Sequence, residues 1–263
     1  IITFTFTFTL SAQIGSFNLG GRSAGMAGSS LTLDDEFSLF NNIGGLGRVE
    51  NHAAFASYQN KYGLSEFQVV GAGAVYTSGI GNAGVGFYKF GDDIYSEQRL
   101  HVAIGNKIQM VSLGLGVDFL QYNISTIGTA QALVIQFGGI AEITPHFRFG
   151  AHIFNLNQAE TNSETDNQIP SIMKAGISWL PSEELIITTE IKKDLDFDEV
   201  FKVGIEYQVI QNVFVRTGIS TQPFLGAFGV GFHPKSFKID YAFSNESRLG
   251  NIHEVSLAYS FVK

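Results

Sequence analysis

From Asn51 onward the chain repeats one pattern: a run of about ten residues alternating between apolar and polar, then a break. Fourteen such segments can be counted, near 52–59, 66–77, 82–90, 98–106, 109–122, 129–143, 146–156, 170–180, 184–194, 198–209, 212–222, 225–233, 236–244 and 252–262. The second half is cleanest. Phe201, Val203, Ile205 and Tyr207 share one face, and Lys202, Gly204, Glu206 and Gln208 the other. Phe237, Ile239, Tyr241 and Phe243 oppose Ser236, Lys238, Asp240 and Ala242. Val255, Leu257, Tyr259 and Phe261 oppose Glu254, Ser256, Ala258 and Ser260. A period of two belongs to strands, because only a strand sends successive side chains to opposite faces.

The pattern predicts an all-β fold: a transmembrane antiparallel β-barrel over 51–263, with twelve to fourteen strands and fourteen the best count. No run approaches the 18 or so apolar residues of a membrane-spanning helix, so a closed barrel is the remaining way across a bilayer. Alternation alone does not say which face is inside. Aromatic residues gather near segment ends on the apolar face, as at a membrane interface. The other face carries charges and many glycines: Gly84, Gly86, Gly105, Gly114, Gly116, Gly150, Gly204 and Gly218. Such a face suits a crowded lumen. The apolar face is therefore expected to meet lipid.

The breaks add an orientation. Those after even-numbered segments read as tight turns: 78–81, Lys107-Ile108, Thr144-Pro145, 181–184, Ile210-Gln211 and Pro234-Lys235. Those after odd-numbered segments read longer, with 157–169 the longest, then stretches near 91–97, 123–128 and 244–251; the break at 222–224 departs from this rule. Short turns belong on the periplasmic side, so both ends of the barrel domain are placed there.

Two N-terminal stretches differ. Residues 1–13, IITFTFTFTLSAQ, are expected to be the remnant of a secretory signal peptide; their alternation would also suit a strand. Residues 14–50 alternate little and are rich in glycine. They are read as a plug or hatch inside the barrel. One or two helical turns are expected over Asp34–Phe40, capped by Thr32 or Asp34.

Composition narrows the function. Charged residues are 15% of the chain, against roughly 25% in ordinary soluble domains. The formal net charge of -8 gives no general attraction to nucleic acid. With no cysteine, disulfides, thiolate metal sites and cysteine nucleophiles are excluded.

The stretches GRSAGMAGSS and LDDEFSLFNNIGGL carry a resemblance. They are similar to the N-terminal signature of FadL-like outer-membrane barrels, closest to the PorV/PorQ-like branch of Bacteroidetes. The matching positions are Gly21, Arg22, Gly25, Met26, Gly28, Asp34, Asp35, Phe40, Asn42, Gly44, Gly45 and Leu46, with Ile43 where that signature usually has proline. The resemblance implies a fourteen-stranded barrel with an N-terminal hatch in the bacterial outer membrane. It implies either transport of a hydrophobic small molecule, as FadL moves long-chain fatty acids, or an accessory role in type IX secretion, as for PorV and PorQ. The expected partners are outer-membrane lipid and either a hydrophobic ligand or secretion-system components.

The candidate lumen-lining residues are Arg148, Glu190, Lys192, Lys202, Glu206, Arg216, Lys238, Asp240 and Glu254. Two readings stand: a polar path that guides a solute, or an ion-paired interior that holds the barrel closed. Phe154, Leu120 and Ile186 could form an apolar pocket near the plug. No cofactor or metal site is expected. The acidic run Asp194–Glu199 begins like a calcium loop but has Glu199 where glycine is needed and Ile205 where glutamate is needed. The six histidines form no ligand pair, and no GxSxG elbow occurs, so catalysis is not expected. The alternatives to transport are a plugged barrel that docks a partner and, less favoured, an outer-membrane hydrolase.

Overall fold

The computed structural model describes residues 18–126, 128–162, 169–195 and 197–261. The signal-like stretch 1–13 and the first part of the expected plug, 14–17, lie outside the described residues. Fourteen strands follow the plug: β1 His52–Lys61, β2 Gln68–Ser78, β3 Gly81–Gly91, β4 Tyr95–Ile108, β5 Val111–Ile124, β6 Gly128–Thr144 and β7 Phe147–Phe154 form the first half. The second half is β8 Ile172–Trp179, β9 Leu185–Asp194, β10 Val200–Ile210, β11 Val213–Thr221, β12 Phe224–Phe232, β13 Phe237–Glu246 and β14 Gly250–Phe261.

Each strand pairs antiparallel with its neighbours in sequence, and β1 pairs with β14, so the sheet closes. Closure satisfies the backbone groups that hydrocarbon cannot. The register slips twice, between Glu142 and Thr144 and between Gln208 and Ile210, both at the short-turn end. One face of most strands is apolar and exposed: Leu100, Val102 and Ile104 on β4 and Leu113, Leu115 and Val117 on β5 show the pattern. The opposite face holds Arg99, His101, Asp118, Glu206, Asp240 and Glu254, all buried. A water-soluble protein would have these faces reversed.

Several connections differ from expectation. The turn placed at Lys107-Ile108 is strand, and the chain reverses at Gln109-Met110, where Gln109 adopts φ 56. The stretches near 91–97, 123–128 and 244–251 are largely strand, leaving connections at 92–94, 125–127 and 247–249. The longest connection, 155–171, remains long.

Residues 18–50 lie inside the barrel. They contain α1 (Gly21–Gly25), α2 (Ser38–Asn41) and a 3-10 turn, Ile43–Arg48. The helix expected over Asp34–Phe40 is shorter and starts later. Asp35 Oδ1 accepts a hydrogen bond from the Phe37 amide, which favours a turn before the helix. Asp34 is drawn to Arg48 and Arg148, and neither Asp34 nor Thr32 caps the helix.

Candidate functional site: the plugged lumen and its apolar cluster

The plug sits against the wall because the wall offers it glycine. The 3-10 turn packs on β3 to β7, and α1 on β11 to β14. At Gly114 an added Cβ would strike the carbonyl of Ile43, and at Gly218 the backbone of Met26. Plug glycines answer in kind: Gly25 faces Gly229 and Gly44 faces Gly139. Any larger residue in such a pair would push the plug off the wall.

Apolar anchors fill the remaining space. Met26, Phe40 and Leu46 are buried. Phe40 reaches the Phe55 ring edge-on at 6.1 Å, and its own ring lies over Gly86. Gly20, at φ 102, lets the chain turn tightly beside the Phe37 ring.

Polar contacts then fix the register. The Gly20 and Gly21 amides donate to Glu254 Oε1 (2.6 Å) and Ser256 Oγ (2.8 Å). Arg22 forks onto Glu206, Nη2 to Oε1 at 2.6 Å and Nε to Oε2 at 2.9 Å, and its Nη1 reaches Asp35 at 3.0 Å. The Gly28 carbonyl accepts from Lys202 Nζ at 3.1 Å, and the Ser30 and Leu31 amides donate to Glu190. Asp34 meets Arg148 at 3.0 Å, and Glu36 meets Lys238 at 2.7 Å. Asn42 accepts from the Gly44 amide and donates to the Leu31 carbonyl. Asn82 donates to the carbonyls of Leu46 and Val49.

All nine lumen candidates therefore face inward, and most bind the plug rather than an open path. Arg148, Glu190, Lys202, Glu206, Lys238 and Glu254 touch it directly. Arg216 lies behind them, joined to Glu206 and Asp240. Lys192 is the exception.

Above the plug, toward the long connection, the lumen changes character. Leu120, Tyr122, Ala132, Val134, Phe154, Ile169 and Ile172 form one buried apolar cluster. Leu120 and Phe154 are in it as expected. Ile186 is not: it pairs in register with Glu206 on β10, well below the cluster. The floor of the cluster is polar. Asp118 binds Arg99, His101 Nδ1 (2.7 Å) and Gln136, and Gln136 Oε1 lies 2.8 Å from His152 Nε2. The Arg99 guanidinium is sandwiched between Phe40 of the plug and Phe154 of the cluster, 5.5 and 5.4 Å from the ring centres.

Beside this floor runs a row of bases. His152, Lys174 and Lys192 are directly opposite one another on β7, β8 and β9, and all three are buried. Lys174 Nζ donates to Asn18 Oδ1 at 3.0 Å, and neither lysine has a carboxylate within salt-bridge distance among the described residues. Two acids flank Lys192 on β9, Glu190 one step below and Asp194 one step above, and Glu190 is taken by Lys202 at 3.0 Å. Like charges directly opposite on a sheet destabilise it. One step higher in the same three strands stand Phe154, Ile172 and Asp194. The base row thus borders the apolar cluster.

Sequence reading singled out Lys192 but not Arg99, His101, Asp118, Gln136, His152 or Lys174. The signal was present: each falls on the glycine-bearing face of its strand. What periodicity cannot give is that they meet across five strands.

The wall beside the cluster is unusual. β6 has 17 residues and β7 only 8, so the upper part of β6 has no strand partner on that side. The connection after β7 takes its place. Asn157 accepts from the Ile135 amide (2.8 Å) and donates to the Leu133 carbonyl (3.0 Å). Gln131 donates its amide to Asn162 Oδ1 (2.8 Å) and accepts from the Asn162 amide (3.1 Å). Two asparagine side chains stand in for a strand.

Elsewhere, Glu199 of the acidic run pairs with Lys193 at 3.2 Å, and its carboxyl is held below the usual glutamate range by its own backbone amide and by Lys193. No group of three or more His, Asp or Glu is placed to hold a metal ion among the described residues.

The fold is that of the FadL-like β-barrels. A FadL homologue of Pseudomonas aeruginosa superposes with a TM-score of 0.72 at 12% identity, over 95% of this chain and 100% of that one. The CymD monoaromatic hydrocarbon channel superposes at 0.68 and 12% identity, over 95% and 99%. A deltaS2S3 mutant of the TodX monoaromatic hydrocarbon channel superposes at 0.69 and 12%, over 92% and 99%. At the level of sequence, no family model and no curated protein matches the chain.

Proposed function

We propose that the chain is an outer-membrane channel for small apolar molecules that carry an acidic group. One observation carries this reading: the buried apolar cluster above the plug is bordered by two buried, opposed lysines with no carboxylate in salt-bridge distance among the described residues. An apolar body would pack against Leu120, Phe154 and Ile172, and its anion would lie between Lys174 and Lys192. That removes the repulsion between them and neutralises charge that burial otherwise disfavours. The monoaromatic hydrocarbon channels of the same fold lend the transport reading support. The acidic group is inferred from Lys174 and Lys192 of this chain.

The direct test uses 8-anilinonaphthalene-1-sulfonate, an apolar anion, against neutral toluene, with the full chain in detergent. Saturable fluorescence from the anion, weakened at least tenfold in both Lys174→Met and Lys192→Met and little affected by toluene, is expected. Equal binding by the variants contradicts the proposal.

A second reading is a sealed barrel that docks a partner. The density of ion pairs between plug and wall favours it. It predicts no saturable ligand at the cluster. A secretion-accessory role rests on the N-terminal motif, Gly21 to Leu46, alone.

A further inference from the structure

The wall has a notch at its short-turn end. The β2–β3 hairpin reverses at 79–80, and β3 begins pairing with β4 at Asn82 opposite Gly105. β4 continues to Ile108, bonded there only to β5. Below Gly105, therefore, β4 has no ladder on its β3 side; the Asn106 side chain donates to the Ile80 carbonyl at 3.2 Å instead.

Two hollows meet at this notch. Outside the wall is an apolar groove of about 530 Å³, lined by Tyr76, Ile80, Ala83, Ile104, Leu115 and Phe137. Under the rim is a polar pocket of about 440 Å³, beside the end of the plug, with Arg48, Glu50 and Lys107 in its lining. Ser78, Gly81, Asn82 and Asn106 line both. The groove exists because Ala83 is small between the larger outward residues Ile104 and Tyr76.

The polar pocket holds an incomplete cation. The Arg48 side chain is 4% exposed; it binds Glu142 and, at 3.4 Å, Asp34, yet its Nη1 is buried without a hydrogen-bond partner. A buried guanidinium N–H without an acceptor is costly. Lys107 stands nearby, 40% exposed and 3.7 Å from Glu142, and Arg148 lies 3.8 Å from the same carboxylate, so Glu142 serves three cations there. Glu50, exposed at the mouth, is the acid on the other side of the balance.

We propose that the notch is a binding site for an anionic phospholipid of the periplasmic leaflet. One acyl chain lies in the outer groove, and the phosphate turns over the rim at Asn106 to meet Lys107 and Arg48 Nη1. Three features select this occupant. The groove is on the lipid-facing wall, the pocket is at headgroup level beside the short turns, and the two are continuous. An apolar solute would leave the pocket empty, and a free phosphate would leave the groove empty. Because Arg48 closes the plug, the site ties the plug to the composition of the surrounding leaflet. None of this depends on what binds at the cluster.

The test places the full chain in nanodiscs of dioleoyl phosphatidylglycerol and dioleoyl phosphatidylcholine in equal parts, then releases it into mild detergent for native mass spectrometry. One retained phosphatidylglycerol per barrel is expected, with little phosphatidylcholine. Lys107→Ala, at an exposed position, and Ala83→Trp, which fills the groove from the lipid side, should each lower occupancy at least fivefold. Ile219→Trp, lipid-facing on β11, should leave it unchanged. Equal retention of the two lipids overturns the proposal, as does occupancy that neither variant changes. A heat-shifted band from each variant shows that it has folded.

Discussion

Arg22 and Glu206 join plug to wall by two parallel hydrogen bonds, of 2.6 and 2.9 Å, and Glu206 is shared with Arg216 behind it. A carboxylate held by two guanidiniums cannot lose one cheaply. Removing one member of a buried pair costs about 3–5 kcal/mol. Arg22→Ala should therefore loosen the plug while the barrel remains closed. The expected readout is faster proteolysis within 18–50, with strand segments as resistant as in the parent. Equal protection of both regions would show that Arg22 is not a principal tether.

Inward glycines should be intolerant in proportion to what faces them. Gly114→Val and Gly218→Val drive a side chain into plug backbone at Ile43 and Met26. Overpacking costs about 1–3 kcal/mol. Gly226→Ala, where nothing lies within 4 Å, should be neutral. Urea titration followed by Trp179 emission measures all three. A Gly226 variant as damaged as the other two would mean that close approach is not the reason for glycine here.

Opposed lysines should cost the empty protein stability. Lys174→Met loses a hydrogen bond to Asn18 but removes one of two facing charges. Without ligand, its stability against unfolding should rise, by about 1 kcal/mol. A fall would mean that the lysines are balanced by something other than a ligand.

How much of this was legible beforehand depends on the range of the interaction. The fourteen strands were readable because each is a local period of two, from Phe201–Tyr207 to Val255–Phe261, and the inward placement of Glu206 or Asp240 follows from the same parity. Turn positions were less readable. Lys107-Ile108 looked like a break because Lys107 interrupts an apolar run, but Lys107 is a rim residue whose backbone still pairs with Ser112. The helix start at Ser38 was missed because Asp34, a good cap in isolation, is recruited by Arg148 from 114 residues away. The apolar cluster fails for the same reason: Leu120 and Phe154 meet Ile169 only through closure of the barrel and the path of one connection.

The seam beside β6 offers a reversible lock, since the chain contains no cysteine to interfere. Gln131→Cys with Asn162→Cys exchanges the hydrogen bond that Asn162 Oδ1 accepts for a disulfide, beside the backbone bond from the Asn162 amide to the Gln131 carbonyl. If cargo leaves the cluster sideways into the membrane, the oxidised variant should bind 8-anilinonaphthalene-1-sulfonate more slowly or release it more slowly, with recovery on reduction. Unchanged rates in the oxidised state place the route elsewhere.

The connection after β3 should respond to acid. Asp92 accepts from the amides of Tyr95 and Ile94, which hold its carboxyl below the ordinary aspartate range. A lowered folded-state pKa stabilises the loop at neutral pH, and that contribution disappears as the pH falls through the lowered value, below about 4. Amide protection at Ile94 and Tyr95 should drop there. Asp92→Ala should show the low-pH protection at every pH, and a pH-dependent loss that persists in this variant would assign it to another group.

The lipid-facing assignment of the alternating apolar face underlies every other statement. Fractionation of cells expressing the full chain, with gel migration compared before and after boiling, tests it most directly. The account predicts an outer-membrane band that runs faster unboiled, because a closed barrel with fourteen paired strands resists detergent until heated. A soluble protein without a heat shift would contradict it, since Val102, Ile104 and Leu115 would then face water.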